Sequence, residues 1–279
     1  MHSFPLTPHD LSTEWHRAVE YLGAMVSPGV VLHSGVGGRT LSGPVKAPTE
    51  DDAWLRLMSS SRPEGKIWEG PTSAESALPD AVPRPRLLAE HAWSTGGMFY
   101  RAHLWERVRG HTVSNTPVLG TPVNVSDSWW VGLHAAMNTV GRVQLPQGRQ
   151  VVTQSFVNRI TRFLPALEGA DLTVGEWQTV HGDFHWANLT RDPLQILDWE
   201  GWGAAPVGYD AAVLLTYSLP VPSVAARVRE VFAEALQGPS GRLAQLVVCA
   251  EIIQASERDD LHAHLRPYAE ELAAEITLH

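Results

Sequence analysis

Cysteine is nearly absent: Cys249 stands alone among 279 residues, which excludes an intrachain disulfide and a cysteine-built zinc site. It lies in the apolar run Leu246-Val247-Val248-Cys249-Ala250, where a thiol is expected to pack as a small, inert hydrophobe. Positive charge is also short. Lys and Arg number 21 against 30 Asp and Glu, a formal charge of −9, so a protein that tracks nucleic-acid phosphates is not expected. No stretch approaches the roughly 18 uncharged apolar residues of a membrane span. The first 22 residues carry His9, Asp10, Glu14 and His16 and no apolar leader core, so a soluble, cytoplasmic protein without a membrane partner is the expectation. Internal repeats and low-complexity tracts are missing too.

What is present divides into two textures. From about Val30 to Glu106, Gly, Pro and Ser separate short strand-like runs: Val30–His33, the alternating Trp54–Met58, and Met98–Glu106. A short helix is expected over Ile67–Leu78, ahead of Pro83-Arg84-Pro85. After Gly110 the spacing becomes helical. Trp130, Leu133, Met137 and Val140 recur at helical steps behind Asp127 as the expected cap, and Val152, Phe156, Ile160 and Phe163 repeat the pattern. Val224 to Leu236 and Leu243 to Ile253 mark two further helices. Thr179–His181 and Leu194–Asp198 read instead as two short strands flanking a loop.

That loop carries the chemistry: His181-Gly182-Asp183-Phe184-His185-Trp186-Ala187-Asn188-Leu189, followed by Ile196-Leu197-Asp198-Trp199-Glu200. Asn188 offers a neutral carbonyl and Asp198 a carboxylate. This is the hard-oxygen donor set that magnesium accepts when a polyphosphate completes its shell. Asp183 is left to accept a proton from a hydroxyl nucleophile. A zinc pair built on His181 and His185 is disfavoured, because Gly182 weakens a helix and no third soft ligand is nearby. His262 and His264 alternate on their helix and read as a solvated face.

The segment HGDFHWANL with ILDWE resembles the catalytic loop and metal-binding segment of the aminoglycoside phosphotransferase and choline kinase family. That pattern is H-G-D-x-H-x-x-N, with a hydrophobic-D-W/F-E segment about ten residues on, and every position is filled. Protein kinases carry H-R-D and D-F-G instead. The resemblance implies an α+β, bilobal, protein-kinase-like fold: a small β-rich lobe over residues 1–106 for nucleotide and a larger, mainly helical lobe over 107–279 for catalysis and substrate. It implies ATP and Mg2+ as cofactors and a small-molecule hydroxyl acceptor as partner. Asp183 becomes the catalytic base, Asn188 and Asp198 the metal ligands, His181 and His185 loop buttresses, Glu200 a support to them, and Asp210 a helix cap.

On the nucleotide side, Gly35-Val36-Gly37-Gly38 stands where the family's phosphate-covering turn would be, with Thr40 in place of a third glycine. Gly37 and Gly38 are therefore expected at the phosphates. Arg56 holds the position of the strand lysine, Lys46 and Lys66 being alternatives. Glu69, or else Glu75, is its expected helix partner, and the backbone of Glu106 and Val108 is expected to pair with the base. The resemblance places the acceptor pocket among the helices from Ser223 to Leu278. Glu251, Glu257, Asp259, Asp260, Glu270 and Glu271 there are read as charged outer faces of helices, or as partners of substrate amines. The expected function is ATP- and magnesium-dependent phosphorylation of a hydroxyl on a small molecule, aminoglycoside-like or another antibiotic or metabolite. The imperfect glycine turn keeps an alternative open: a weak or inactive kinase-like protein that binds a nucleotide or peptide.

Overall fold

The computed structural model describes residues 11–26, 29–108, 110–276 and 278. The described residues of 1–76 and 85–109 form one compact unit, and those of 77–84 and 110–279 the other.

The first unit is an antiparallel sheet with one helix packed against it and a second beside it. The helix α1 (Ser12–Tyr21) precedes β1 (His33–Ser34), β2 (Thr40–Lys46), β3 (Asp52–Ser60), the helix α2 (Lys66–Ala77), β4 (Leu87–Thr95) and β5 (Met98–Glu106), and the sheet order is β1-β2-β3-β5-β4. Alternation sorts the strands' side chains onto two faces. Leu41, Leu55, Leu57, Ala102 and Leu104 form one face and are buried under Trp15 and Ala18 of α1. The opposite face carries Arg56, Arg101, His103 and Glu90 beside Trp54 and Trp105 and meets α2, where Arg101 donates to the Trp68 carbonyl at 3.0 Å and Thr72 donates to Glu90 at 2.6 Å.

Two strands went unread in the sequence. β2 contains Gly43-Pro44, which argues against a strand, yet β1 covers β2 only at Leu41 and Ser42, so Pro44 lies where β2 is an edge. β4 joins β5 through Gly96 and Gly97, with φ of 59° and 77°, the positive values that a two-residue hairpin turn requires.

The second unit is mostly helical. It contains α3 (Asp127–Gly141), α4 (Gln154–Val157), the strand pair β6 (Trp177–Val180) and β7 (Gly203–Pro206), then α5 (Tyr209–Thr216), α6 (Pro222–Val231), α7 (Ala233–Gln237), α8 (Pro239–Ala255) and α9 (Asp260–Glu275). No described helix is long and apolar enough to cross a membrane. Ser126, one residue before the expected Asp127, caps α3 by accepting from Trp129 N at 3.2 Å. The apolar spacing from Val152 to Phe163 gives only α4 and a separate 3-10 turn at Ile160–Arg162, and Val224–Leu236 breaks at Phe232 into α6 and α7. Leu194–Asp198 is not a strand: one bridge, Leu189 to Ile196, is all the pairing it makes, and the partner of β6 is β7.

Every residue of α5 is buried, and α8 buries eleven of its seventeen around Cys249, whose thiol pKa is pushed up to about 12 by burial. Close approach of α7 to the start of α8 and to the residue before α5 depends on two glycines. A Cβ on Gly241 would overlap the Ala235 carbonyl and lie 2.8 Å from Leu236 backbone atoms, and one on Gly208 would lie 3.0 Å from Gly241 Cα. Overpacking of this kind costs about 1–3 kcal/mol. Gly241→Ala is therefore expected to lower the stability measured by urea unfolding by that amount without changing the slope of the transition.

Candidate active site

The strand β6 delivers the chain into the loop at His181, and one carboxylate fixes the path of the loop from there. Asp210, in the first turn of α5, accepts from His181 N at 2.7 Å through Oδ2 and from Gly182 N at 2.9 Å through Oδ1. The expected cap of α5 thus caps the loop instead. Asp210 is 4% exposed, and burial raises its pKa against the lowering effect of His181 and the two amides. Gly182 takes φ of 89°, and a Cβ there would lie 2.6 Å from Val151, so the position needs glycine on both counts.

His181 carries the constraint onward. Its Nε2 donates to the Leu197 carbonyl at 2.7 Å while Nδ1 accepts from Asp183 N at 3.2 Å, an arrangement that fits one neutral tautomer. The ring also meets Trp199 edge-on at 4.6 Å. Both histidines buttress the loop: His185 Nε2 lies 3.3 Å from Asp183 Oδ1. Asn188 donates through Nδ2 to the Asp183 carbonyl at 2.9 Å, with Asp183 Oδ2 at 3.4 Å. Burial raises the pKa of Asp183, but the hydrogen bond from His185, the electrostatic influence of the two imidazoles and the Asn188 amide together outweigh it, and the net shift is downward.

The second segment is tied to the first by backbone. Leu197 N donates to the Asn188 carbonyl at 2.8 Å, and Ile196 N donates to the Pro83 carbonyl at 2.8 Å. Asp198 comes next at φ 61° and ψ 59°, a left-handed conformation that costs a non-glycine residue free energy and turns the chain sharply after Leu197. Asn188 directs its amide protons at Asp183, so a cation would meet its Oδ1. With the Asp198 carboxylate such a donor set would be all oxygen, the kind magnesium takes. Glu200 contributes its carbonyl, which accepts from Arg149 at 3.0 Å.

Beyond the loop lies a group of side chains that sequence spacing did not reveal. Tyr217 Oη is 3.1 Å from His262 Nε2, and His262 Nδ1 is 2.7 Å from both carboxylate oxygens of Asp259. Because a carboxylate only accepts, Nδ1 carries a proton, and in the neutral ring Nε2 accepts from the tyrosine. His262 therefore has partners through both ring nitrogens, with its side chain one quarter exposed (25%). Tyr209 donates to Glu251 at 2.7 Å. Burial, together with the charges of Asp183, Glu251 and Asp259, lifts the Tyr217 hydroxyl well above its usual pKa, so three acids act on one phenol. The spacing of Tyr217, Glu251 and Asp259 along the chain carries no signal for this, because the three come from different helices or their ends.

In the first unit, Gly37 and Gly38 take φ of 78° and 66° in the 3-10 turn between β1 and β2. Arg56 is half-buried at the middle of β3, opposite Ser42 and His103. Lys46 pairs with Asp52 at 2.8 Å, and Lys66 is the first residue of α2. The Glu69 carboxylate lies 3.4 Å from Gly65 N, and Glu75 bonds Arg86 at 2.6 Å. Glu106 ends β5 with its side chain 3.1 Å from Arg86 N, and Val108 lies two residues beyond, half-buried.

Residues 130–245, which include Asp183, Asn188, Asp198 and Asp210, match the phosphotransferase enzyme family. The resemblance carried by the loop motif is thereby borne out. An amicoumacin kinase in complex with AMP-PNP and Ca2+ is similar in fold, with a TM-score of 0.60 at 13% identity over 96% of this chain and 94% of that one. A macrolide 2′-phosphotransferase from Brachybacterium faecium gives 0.58 at 16% identity over 96% and 99%. A spectinomycin phosphotransferase bound to ADP and spectinomycin gives 0.51 at 10% over 93% of each chain. No curated protein matches the sequence significantly. At these identities the structures establish the kinase-like fold.

The clamp is directly testable. Asp210→Asn leaves one amide facing an NH2 group, and an unpaired buried N–H costs about 1–3 kcal/mol. The variant is expected to lose stability by that amount in chemical denaturation and most of its catalytic turnover.

Proposed function

From the phosphotransferase family match, we propose that this protein transfers the terminal phosphoryl group of ATP to a hydroxyl of a small molecule, in a magnesium-dependent reaction. The observation that carries the reading is the Asp210-clamped loop, which presents Asp183 beside Asn188 and ties Asn188 by backbone to the residue before Asp198. Positioning and charge neutralisation account for most phosphoryl-transfer catalysis, and a rigid loop supplies the first.

In this reading the Asp183 carboxylate aligns the acceptor hydroxyl and receives its proton. The acceptor oxygen forms a bond to the terminal phosphorus as the bond to the bridging oxygen breaks, and ADP leaves. Asn188 Oδ1 and the Asp198 carboxylate would hold the cation. Magnesium supplies neutralisation of polyphosphate charge when bound. In the first unit, Gly37 and Gly38 offer backbone amides and Arg56 a guanidinium to the phosphates, while the backbone of Glu106 and Val108 meets the base. Glu69 remains the helix acid of this scheme only as far as the resemblance takes it.

The acceptor is proposed to carry an amine. Asp183, Glu251 and Asp259 all act electrostatically on Tyr217, so a ligand there meets a negative field, which favours a cation. With His262 neutral, the Tyr217 hydroxyl donates a hydrogen bond to Nε2 and keeps lone pairs for an incoming N–H or O–H.

Magnesium-dependent release of phosphate from ATP, compared between wild type and Asp183→Ala, tests the reaction before any acceptor is known. General-base assistance is worth about 10²–10⁴ in rate, so the variant should fall at least about a hundredfold. A variant that keeps more than about a tenth of wild-type turnover removes Asp183 from the role. Binding of ATP with no turnover in either protein would establish a binding protein instead.

A further inference from the structure

Four polar side chains line up across the sheet of the first unit. Ser42, Arg56, His103 and Glu90 are successive cross-strand partners on β2, β3, β5 and β4. Such partners point to the same side of a sheet, here the side where Thr72 of α2 donates to Glu90. His103 is completely buried, with Nε2 3.6 Å from Glu90 Oε2, too far for a hydrogen bond, and neither ring nitrogen has a hydrogen-bond partner. A buried imidazole in that condition is costly, and its retention needs a reason.

We propose that Glu90 and His103 are positioning residues for Arg56, with the strand glutamate taking the part that the family resemblance gives to a glutamate of the helix. Both helix candidates have other local contacts, Glu69 with Gly65 at its own helix start and Glu75 with Arg86. Glu90 belongs to the arginine's own cross-strand row. Facing an acceptor-only carboxylate, the neutral imidazole places its proton on Nε2 and keeps Nδ1 as an acceptor, a partner suited to a guanidinium N–H. Burial, with the charges of Arg101 and Arg56, holds the ring neutral against the opposing pull of Glu90. The Glu90 carboxyl is held at a pKa of about 2, by His103 first and then by Thr72 and Arg101 against burial, so it is ionised throughout the physiological range.

The inference rests on the reading of Arg56 as a phosphate-binding cation, and calorimetric titration of the full chain with ATP and with adenosine separates the two. Glu90→Gln raises the positive field around the phosphates, which by itself tightens ATP binding. Loss of positioning weakens it. The expected result is ATP binding about five- to tenfold weaker, the loss of roughly one charge-assisted contact, with adenosine affinity unchanged. His103→Leu is expected to behave alike. Should that core variant fail to fold, Glu90→Gln, with its side chain 40% exposed, carries the test alone. ATP binding by Glu90→Gln equal to wild type or tighter overturns the inference. Arg56→Gln with wild-type ATP affinity overturns the underlying reading of Arg56 instead.

Discussion

The loop from His181 to Leu189 takes its shape from one buried carboxylate that accepts from two successive backbone amides. Burying Asp210 costs it solvation, seen in its raised pKa, and the two short bonds to His181 and Gly182 offset that cost. Hydrogen bonds to a charged group contribute about 1.5–3 kcal/mol each, enough to compete with the cost of burying the charge. For both amides to converge on one carboxylate the chain must turn at Gly182, and no Cβ fits there against Val151. The turn directs the His181 ring at the Leu197 carbonyl, so the second segment is held by the same constraint as the first.

The helix α5 acts on both ends of the loop. Eight residues at 1.5 Å each give a rod of about 12 Å. Its first turn carries Asp210, which fixes His181 and Gly182. At its other end Tyr217 lies against the His185 ring at 5.7 Å, and Ser218 accepts from Trp186 Nε1 at 2.9 Å. A buried two-turn helix is a stiff element, so the spacing between those two anchors fixes the span from His181 to Trp186. Trp186 is itself packed against Trp129 and Trp130 of α3, and Trp129 donates to the Thr190 carbonyl at 2.8 Å. These buried tryptophans thus hold the polar loop in place.

How much of the structure was legible in the sequence depended on how local each signal is. The loop motif is contiguous, so spacing alone picked out its three oxygen-bearing residues and the two histidines beside them, while the roles expected of each came from the resemblance. Strong periodicity likewise announced α3 and α8. Where the outcome depended on partners distant in the chain, the reading failed. Leu194–Asp198 has the composition of a strand, but its backbone groups go to Thr190, Asn188 and Pro83 rather than to a neighbouring strand. His262 alternates with His264 as a solvated pair would, yet its bond to Tyr217 spans 45 residues. Asp210 sits where helix caps sit, and only the three-dimensional placement of β6 shows what it binds.

Charge on the polar face of the first unit's sheet explains why an arginine suits position 56. Arg56 and Arg101 are diagonal neighbours across β3 and β5, a repulsive arrangement for two cations. A lysine in that field has an ammonium that can shed its proton, whereas a guanidinium keeps its charge. Arg101 is occupied with the carbonyl and ring of Trp68 and lies within reach of the Glu90 charge. His103 stays neutral between them. Arg56, Arg101 and Lys46 against Glu90 and Asp52 leave this face with one net positive charge, and the Lys46–Asp52 pair cancels within itself. A sheet face with that excess is suited to an anion such as a polyphosphate. The neutrality of His103 matters to the same balance, because a third cation in a buried row would cost more than a single carboxylate could offset.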